Sequence, residues 1–193
     1  MITVLNKKYQ KDQVLSSLNF IKQSDQVFSA SLSQEDLERF NFSEIKIIEQ
    51  NNELITFINL NFNVQENDVI YSHADYVESL FHILKKFKFQ NIKVISSQSD
   101  RKITKNLFNQ MPKCVSSWYA TNVVYKTGSL IPIPLGIAPY RNNKSAIIDD
   151  FIDLEFQQTK HKFMYFNFNL NTNYFHRIKA INYARKIFDI KLV

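Results

Sequence analysis

The chain of 193 residues is poor in the residues that build disulfides, metal sites and phosphate-binding loops: it has one cysteine, four histidines and two glycines. Cys114 has no second cysteine to pair with, which excludes an internal disulfide and fits a reducing compartment. The histidines never fall at paired spacing with one another or with Cys114, which argues against a zinc site. Neither glycine has a partner at the spacing of a nucleotide-binding loop. We therefore expect no bound metal and no resident cofactor.

Long apolar runs are also missing. No stretch approaches the roughly 18 apolar residues that a membrane-spanning helix needs. The N-terminal sequence MITVLNKKYQKDQ lacks the apolar core and cleavage site of a secretory signal. The sequence therefore predicts a cytoplasmic protein, either free or peripheral to a membrane.

The charge of the chain is moderately basic. Its 24 Lys and Arg residues against 18 Asp and Glu residues give a formal net charge of +6. Such an excess suits anionic partners such as nucleotides, phospholipid head groups or nucleic acid. Because the basic residues are dispersed rather than gathered on one predicted helix, nucleic-acid binding is the least favoured of these functions.

Hydrophobic periodicity predicts a βαβ unit in the middle of the chain. Val69–Tyr71 and Ile92–Ser96 have the pattern of short buried strands, and apolar residues at helical spacing predict a helix over Ala74–Phe87 between them. This order implies parallel strands with a right-handed crossover. Earlier, the run DQVFSASLSQEDLERF predicts another strand and helix, with Ser33 as the N-cap. The predicted fold class is therefore α/β, a Rossmann-like, open and mostly parallel sheet with flanking helices.

Weaker patterns predict the remaining elements. These are strand-like runs on either side of Asn51, a helix over Ile103–Met111, an edge strand in IPIPLGI, a strand over Phe163–Phe168 and a helix from about Tyr174 to Phe188. We expect an N-terminal Rossmann-like domain over residues 1–140. A linker and the start of a second such domain would then occupy residues 141–193.

Polar residues follow the predicted strands, where open parallel sheets hold their ligands. In SSQSDR, Asp100 could accept a proton from an attacking hydroxyl and Arg101 could pair with a phosphate, with a capped turn as the alternative. In SHAD, His73 is either an acid–base group or a structural residue beside Asp75. In FNFNLNTNYFHR, Arg177 adds a positive charge to a helix N-terminus that favours anions, with an Asx-rich turn as the alternative.

Four stretches carry a resemblance to a known family: DVIYSHADYVESLF, VISSQSDRKIT, WYATNVVYKTGSLIPIPLGI and KFMYFNFNLNTNYFHR. In order and spacing they resemble the exostosin-like bacterial and viral glycosyltransferases of the GT-B type, over roughly Asp68 to Arg177. The resemblance implies a metal-independent transfer of sugar from a nucleotide-sugar donor to a glycan or lipid-linked acceptor, in surface-polysaccharide synthesis. Proximity and phosphate stabilisation do much of the work in such a reaction.

The resemblance also implies roles for individual residues. Asp100 is the implied catalytic base. The implied substrate-binding residues are His73, Ser97, Ser99, Arg101, Trp118, Asn122 and Gly136, and the implied contacts to the donor diphosphate are Asn167, Thr172, Asn173 and Arg177. Trp118 would stack on a sugar or base, with a place in the core as the alternative, and Gly136 would permit a close turn.

The chain also departs from the family pattern. Ser97 and Gln98 stand where the family has His and Asn, and nothing after Arg177 supplies the family's Arg- and Glu-containing donor-sugar signature. We therefore expect either an enzyme that is truncated in its second domain or one that depends on a missing domain or partner chain. A non-catalytic Rossmann-like module that binds a glycan or a protein partner is the alternative function.

Overall fold

The structure is a computed structural model and describes residues 14–140, Ile147 and residues 174–187. Contacts within the chain divide it into two compact units, Met1–Leu154 and Glu155–Val193. This division lies later in the chain than the predicted domain boundary after residue 140. Each unit is described by itself below.

The described part of the first unit is built on a seven-stranded sheet. Its strands are β1 (Gln26–Leu32), β2 (Ile45–Gln50), β3 (Ile55–Asn59), β4 (Val69–His73), β5 (Ile92–Ser97), β6 (Val115–Ala120) and β7 (Leu130–Pro132). Its helices are α1 (Ser17–Lys22), α2 (Gln34–Phe40), α3 (Val77–Leu84), which follows a 3₁₀ turn at Ala74–Tyr76, and α4 (Lys105–Phe108). The strand order is β2-β3-β1-β4-β5-β6-β7. Strand β3 is antiparallel to both of its neighbours, whereas the other pairs are parallel.

The predicted βαβ unit is confirmed. β4 and β5 pair in parallel, with Ile70 opposite Val94, and α3 lies between them in the chain. The edge strand predicted in IPIPLGI is confirmed in part: β7 covers only Leu130–Pro132, and it pairs only with β6 among the described strands. The fold is therefore an α/β, Rossmann-like open sheet, mostly parallel and flanked by helices.

Alternating side chains give the sheet a core on each face. Along β4, Ile70 packs into a cluster with α3, and its neighbour Tyr71 packs into a second cluster with Ile21 of α1. α3 buries Val77, Leu80, Phe81 and Leu84, the stripe that its spacing predicts. Burial of this kind contributes about 25 cal/mol per Å² of apolar surface, which makes these two clusters the main source of stability.

Local capping fixes where several elements begin and end. Ser33 is the N-cap of α2 as predicted, since its hydroxyl accepts a hydrogen bond from the Asp36 backbone N–H. The predicted helix over Ile103–Met111 is shorter in the structure, because Thr104 caps α4 and the helix ends at Phe108. Helix α1 has only six residues and was not predicted, because less than two turns give no readable period.

The described part of the second unit is one helix, α5 (Tyr174–Ile187). Its start agrees with the predicted helix from about Tyr174 to Phe188. The predicted strand over Phe163–Phe168 lies outside the described residues. Within the described residues no helix is both long and apolar enough to cross a membrane.

Candidate functional site

The strand order places the expected ligand crevice between β1 and β4. From β1 the chain goes to β2 and β3 on one side of the sheet, and from β4 onward it extends on the other side. In open α/β sheets, ligands bind outside the carboxyl ends of the strands at such a reversal. Here those ends carry Ser31 of β1 and His73 of β4, next to the loops that follow β5 and β6.

The loops after β4, β5 and β6 meet at this edge. The Ser99 hydroxyl donates to Asp75 Oδ1 at 2.6 Å, and the Asn122 side-chain amide donates to the Ser99 carbonyl at 2.8 Å. Gln98 and Asn122 adopt left-handed backbone conformations, with φ of 65° and 55°. Such conformations cost energy in residues other than glycine and cluster at functional sites. We call Asp75, Ser99, Asp100 and Asn122 the edge cluster.

Asp100, the predicted base, is exposed in the edge cluster. Its carboxylate makes no hydrogen bond or ion pair with the described residues, so none of them fixes its orientation. A general base needs to reach the proton that it abstracts, and a free carboxylate at the rim of the crevice can turn toward a ligand. Its catalytic role therefore stays a prediction.

Arg101 is held by the protein itself. Its guanidinium donates to Glu78 Oε2 at 2.6 Å and to the Asp75 carbonyl at 3.0 Å. Hydrogen bonding from Arg101, followed by that from Gln110, lowers the pKa of Glu78. A guanidinium engaged in this way has fewer free donors for a phosphate than the sequence pattern suggested.

His73 lies at the end of β4 and is 8% exposed. Its Nδ1 accepts the Asp75 backbone N–H at 3.3 Å and lies 3.8 Å from Asp75 Oδ2. Burial lowers the pKa of His73, and the nearby Asp75 charge offsets only part of that effect. The ring is therefore a neutral imidazole at neutral pH, and it caps the 3₁₀ turn that begins the loop.

Two predicted substrate-binding residues belong to the core instead. Trp118 is fully buried, its ring meets Phe81 edge-on at 5.0 Å, and its indole N–H donates to Ser96 Oγ at 2.9 Å. The expectation that Trp118 stacks on a sugar is therefore wrong, because no face of the ring is open. Ser97 is also buried, with its hydroxyl 2.7 Å from that of Tyr71.

Gly136 allows a close approach of the chain to Leu15, and no turn is assigned at this position. Its φ is +78°, and a Cβ at this position would lie 2.2 Å from the Leu15 carbonyl oxygen. The backbone N–H of Ile137 donates to the same oxygen at 2.8 Å. The glycine therefore brings the segment after β7 into backbone contact with the residues before α1. Its observed role is to set the course of the backbone.

Gln98 is a residue of this edge whose role sequence reasoning missed. Its side chain reaches β1, where Nε2 donates to the Ser31 carbonyl at 2.7 Å and Oε1 accepts the Ser31 N–H at 2.9 Å. An amide side chain thus makes the two bonds that a neighbouring strand would make. No local pattern in the sequence indicates this contact, because the two residues are 67 positions apart.

Thr121 is a second residue near this edge that sequence reasoning missed. It follows β6, is 3% exposed, and its Oγ1 has no hydrogen-bond partner among the described residues. An unsatisfied buried hydroxyl costs about 1–3 kcal/mol, so such atoms are few in native proteins.

The predicted diphosphate contacts are only partly described. Asn167, Thr172 and Asn173 lie outside the described residues. Arg177 lies in the first turn of α5, where it is half-buried and already interacts with other residues. Their role stays a prediction.

Searches for similar proteins return nothing for this chain: no family model, no curated protein and no solved structure matches it. Within the described residues no group of three or more His, Cys, Asp and Glu side chains could hold a metal ion.

Proposed function

We propose that this protein is a glycosyltransferase-like protein of the GT-B type, whose described sheet forms the acceptor-side domain. The nucleotide-sugar donor would be held by residues after position 140. Two things support the proposal: the four ordered motif stretches, and an α/β sheet of the kind that GT-B domains use. A cytoplasmic location, peripheral to the membrane for a lipid-linked acceptor, agrees with the sequence.

The single observation that carries the proposal is the edge cluster. Ser99 joins Asp75 of one loop to Asn122 of another at the carboxyl edge of parallel strands. Carboxylate, hydroxyl and amide groups placed together are the partners that sugar hydroxyls need, since the carboxylate accepts hydrogen bonds and the hydroxyl and amide both accept and donate them.

The proposed reaction requires one base and a stabilised leaving group. The acceptor oxygen bonds to the anomeric carbon of the donor sugar while the bond from that carbon to the diphosphate breaks. The acceptor proton passes to Asp100, and the nucleoside diphosphate leaves with the electron pair. Asn167, Thr172, Asn173 and Arg177 are the groups that we assign to the diphosphate, where hydrogen bonds and positive charge favour the developing anion. His73 and Asn122 would orient the acceptor.

The experiment measures turnover of a panel of nucleotide sugars by the purified full chain, by release of nucleoside diphosphate. We expect Asp100→Asn to lower kcat by about 100-fold or more, in the range of general base catalysis. The matched control is Glu66→Gln, which removes an exposed carboxylate before β4, at the opposite edge of the sheet. Equal loss in both variants, or full activity in Asp100→Asn, would contradict the assignment of the base.

The second candidate is a non-catalytic module that binds a glycan or a protein partner. Two observations favour it: Arg101 is already paired with Glu78, and no described residue orients the Asp100 carboxylate. In the same assay this function predicts saccharide or partner binding by a folded chain with no release of nucleoside diphosphate. A folded chain that neither binds nor turns over any saccharide would remove both saccharide functions.

A further inference from the structure

A cleft of about 550 Å³ opens between α1, α2 and the segment that follows β7. Small-molecule sites typically have volumes of about 300–1,000 Å³, so the cleft is large enough for a ligand. No residue of the edge cluster lines it, so the cleft is a second feature of the first unit.

A buried carboxylate stands in the wall of the cleft. Asp36 is 6% exposed, and its Oδ2 accepts hydrogen bonds from the Tyr140 hydroxyl at 2.7 Å and from the Ser33 hydroxyl at 3.2 Å. Burial, followed by the hydrogen bond to Asp36, raises the pKa of Tyr140, which therefore stays a donor. Oδ1 has no hydrogen bond from any residue that the structure describes, and the Arg39 guanidinium lies 3.7 Å from it, beyond hydrogen-bond distance. The carboxylate is thus oriented and retains acceptor capacity.

The opposite wall is fixed by the backbone. Ile137–Tyr140 line the cleft, and Gly136 immediately before them touches the Leu15 carbonyl too closely for any side chain. The hydrogen bond from Ile137 to Leu15 completes this attachment. Because both ends of the wall are tied, to Leu15 and through Tyr140 to Asp36, the cleft is a preformed cavity.

The charges on the described residues that line the cleft balance. Two basic residues, Lys22 and Arg39, face two acidic residues, Glu35 and Asp36. Arg39 is bonded to Glu35 at 2.6 Å, so it contributes little free positive charge. A diphosphate or another strongly anionic ligand would find no surplus of positive charge here. The aliphatic wall of Ile137 to Pro139 offers a surface to the C–H face of a ring.

We propose that this cleft binds an uncharged saccharide, with sugar hydroxyls donating to Asp36 and the ring lying against Ile137–Pro139. The proposal rests on the proposed function in so far as a saccharide is named as the ligand. The nucleotide-sugar donor is then excluded from this cleft by its charge and belongs elsewhere on the chain.

The test is an NMR titration of the full ¹⁵N-labelled chain with three kinds of probe: neutral methyl glycosides, glucuronate and UDP-glucose. We expect neutral glycosides to shift amides within residues 16–22, 35–39 and 137–140, and glucuronate to bind at least about tenfold more weakly. Asp36→Asn should weaken glycoside binding by about tenfold, because hydrogen bonds to a charged acceptor are the stronger ones. Glu38→Gln, an exposed residue of α2 outside the cleft, is the matched control and should change nothing.

A second variant keeps the test decisive if Asp36→Asn does not fold. Lys22→Met removes the ammonium group of an exposed side chain of the cleft and should weaken binding by about threefold, because the side chain then has no N–H to donate to a sugar hydroxyl. Absence of shifts at these amides with every neutral glycoside would overturn the proposal. So would unchanged affinity in both cleft variants, or occupation of the cleft by UDP-glucose. Because Asp100→Asn should lower turnover but leave cleft binding intact, failure of the proposed function and failure of this inference give different results.

Discussion

Replacing Gly136 by alanine tests whether the segment after β7 is truly held against Leu15. A Cβ there would lie 2.2 Å from the Leu15 carbonyl oxygen and 2.6 Å from its carbon, both of them backbone atoms that cannot rotate away. The φ of +78° adds a penalty of about 1–2 kcal/mol for a residue with a side chain. If the segment moves to relieve the clash, the hydrogen bond from Ile137 to Leu15 is lost, which costs about 1 kcal/mol more.

We therefore expect Gly136→Ala to lower the free energy of unfolding by about 2–3 kcal/mol. Urea denaturation followed by tryptophan fluorescence is a suitable assay, because the chain has a single tryptophan and Trp118 is fully buried in the core of the sheet. Gly128→Ala is the control: a Cβ there meets no atom within 4 Å, so its stability should stay close to that of the parent chain. A Gly136→Ala variant that unfolds at the same urea concentration as Gly128→Ala would refute the reasoning.

Three further predictions concern buried polar groups. Burial holds the pKa of His73 below 6.5, so the unfolded chain binds a proton at this residue at a higher pH than the folded chain does. Stability should therefore fall as the pH drops below about 6.5. Urea midpoints measured from about pH 7 to 5 should fall less steeply in His73→Asn than in the parent chain. Thr121→Val removes a buried hydroxyl that has no partner in the described structure, so thermal unfolding should show an unchanged or raised melting temperature. A fall in the free energy of unfolding of more than about 1 kcal/mol would show that the hydroxyl is satisfied. Trp118→Phe removes the single tryptophan, so its urea denaturation is followed by far-UV circular dichroism. The substitution should cost about 2–4 kcal/mol, because it leaves a cavity and leaves Ser96 Oγ without the indole N–H; a cost below about 0.5 kcal/mol would contradict a core role.

The sequence predicted the parts of the fold that depend on local patterns. Each of these patterns is confined to a short stretch of chain, so its periodicity or spacing can be read directly. They are the apolar stripe of α3, the strands β4 and β5, and the Ser33 cap. The carboxyl-edge position of Ser99 followed from the parallel topology that these elements imply.

Contacts between distant parts of the chain were beyond local reasoning. Gln98 and Ser31 are 67 residues apart, and Tyr140 and Asp36 are 104 apart, so no periodicity links them. The placement of Trp118 depended on which face of β6 packs against α3, and a strand pattern alone does not tell which of two covered faces holds a large ring. The cleft beside α1 was missed for the same reason, since it is closed by residues from three separate segments.

The bonds of Gln98 to Ser31 have a consequence for how freely these two positions can vary. Both bonds use the backbone of Ser31, so that part of the contact would survive almost any residue there. At position 98 the demand is narrow: glutamate has no N–H to give, asparagine is one methylene shorter, and lysine has nothing to accept with. In a saturation library we therefore expect this contact to require glutamine at position 98. Position 31 is limited for a separate reason, because the Ser31 side chain is buried and its hydroxyl lies 2.7 Å from that of Thr56.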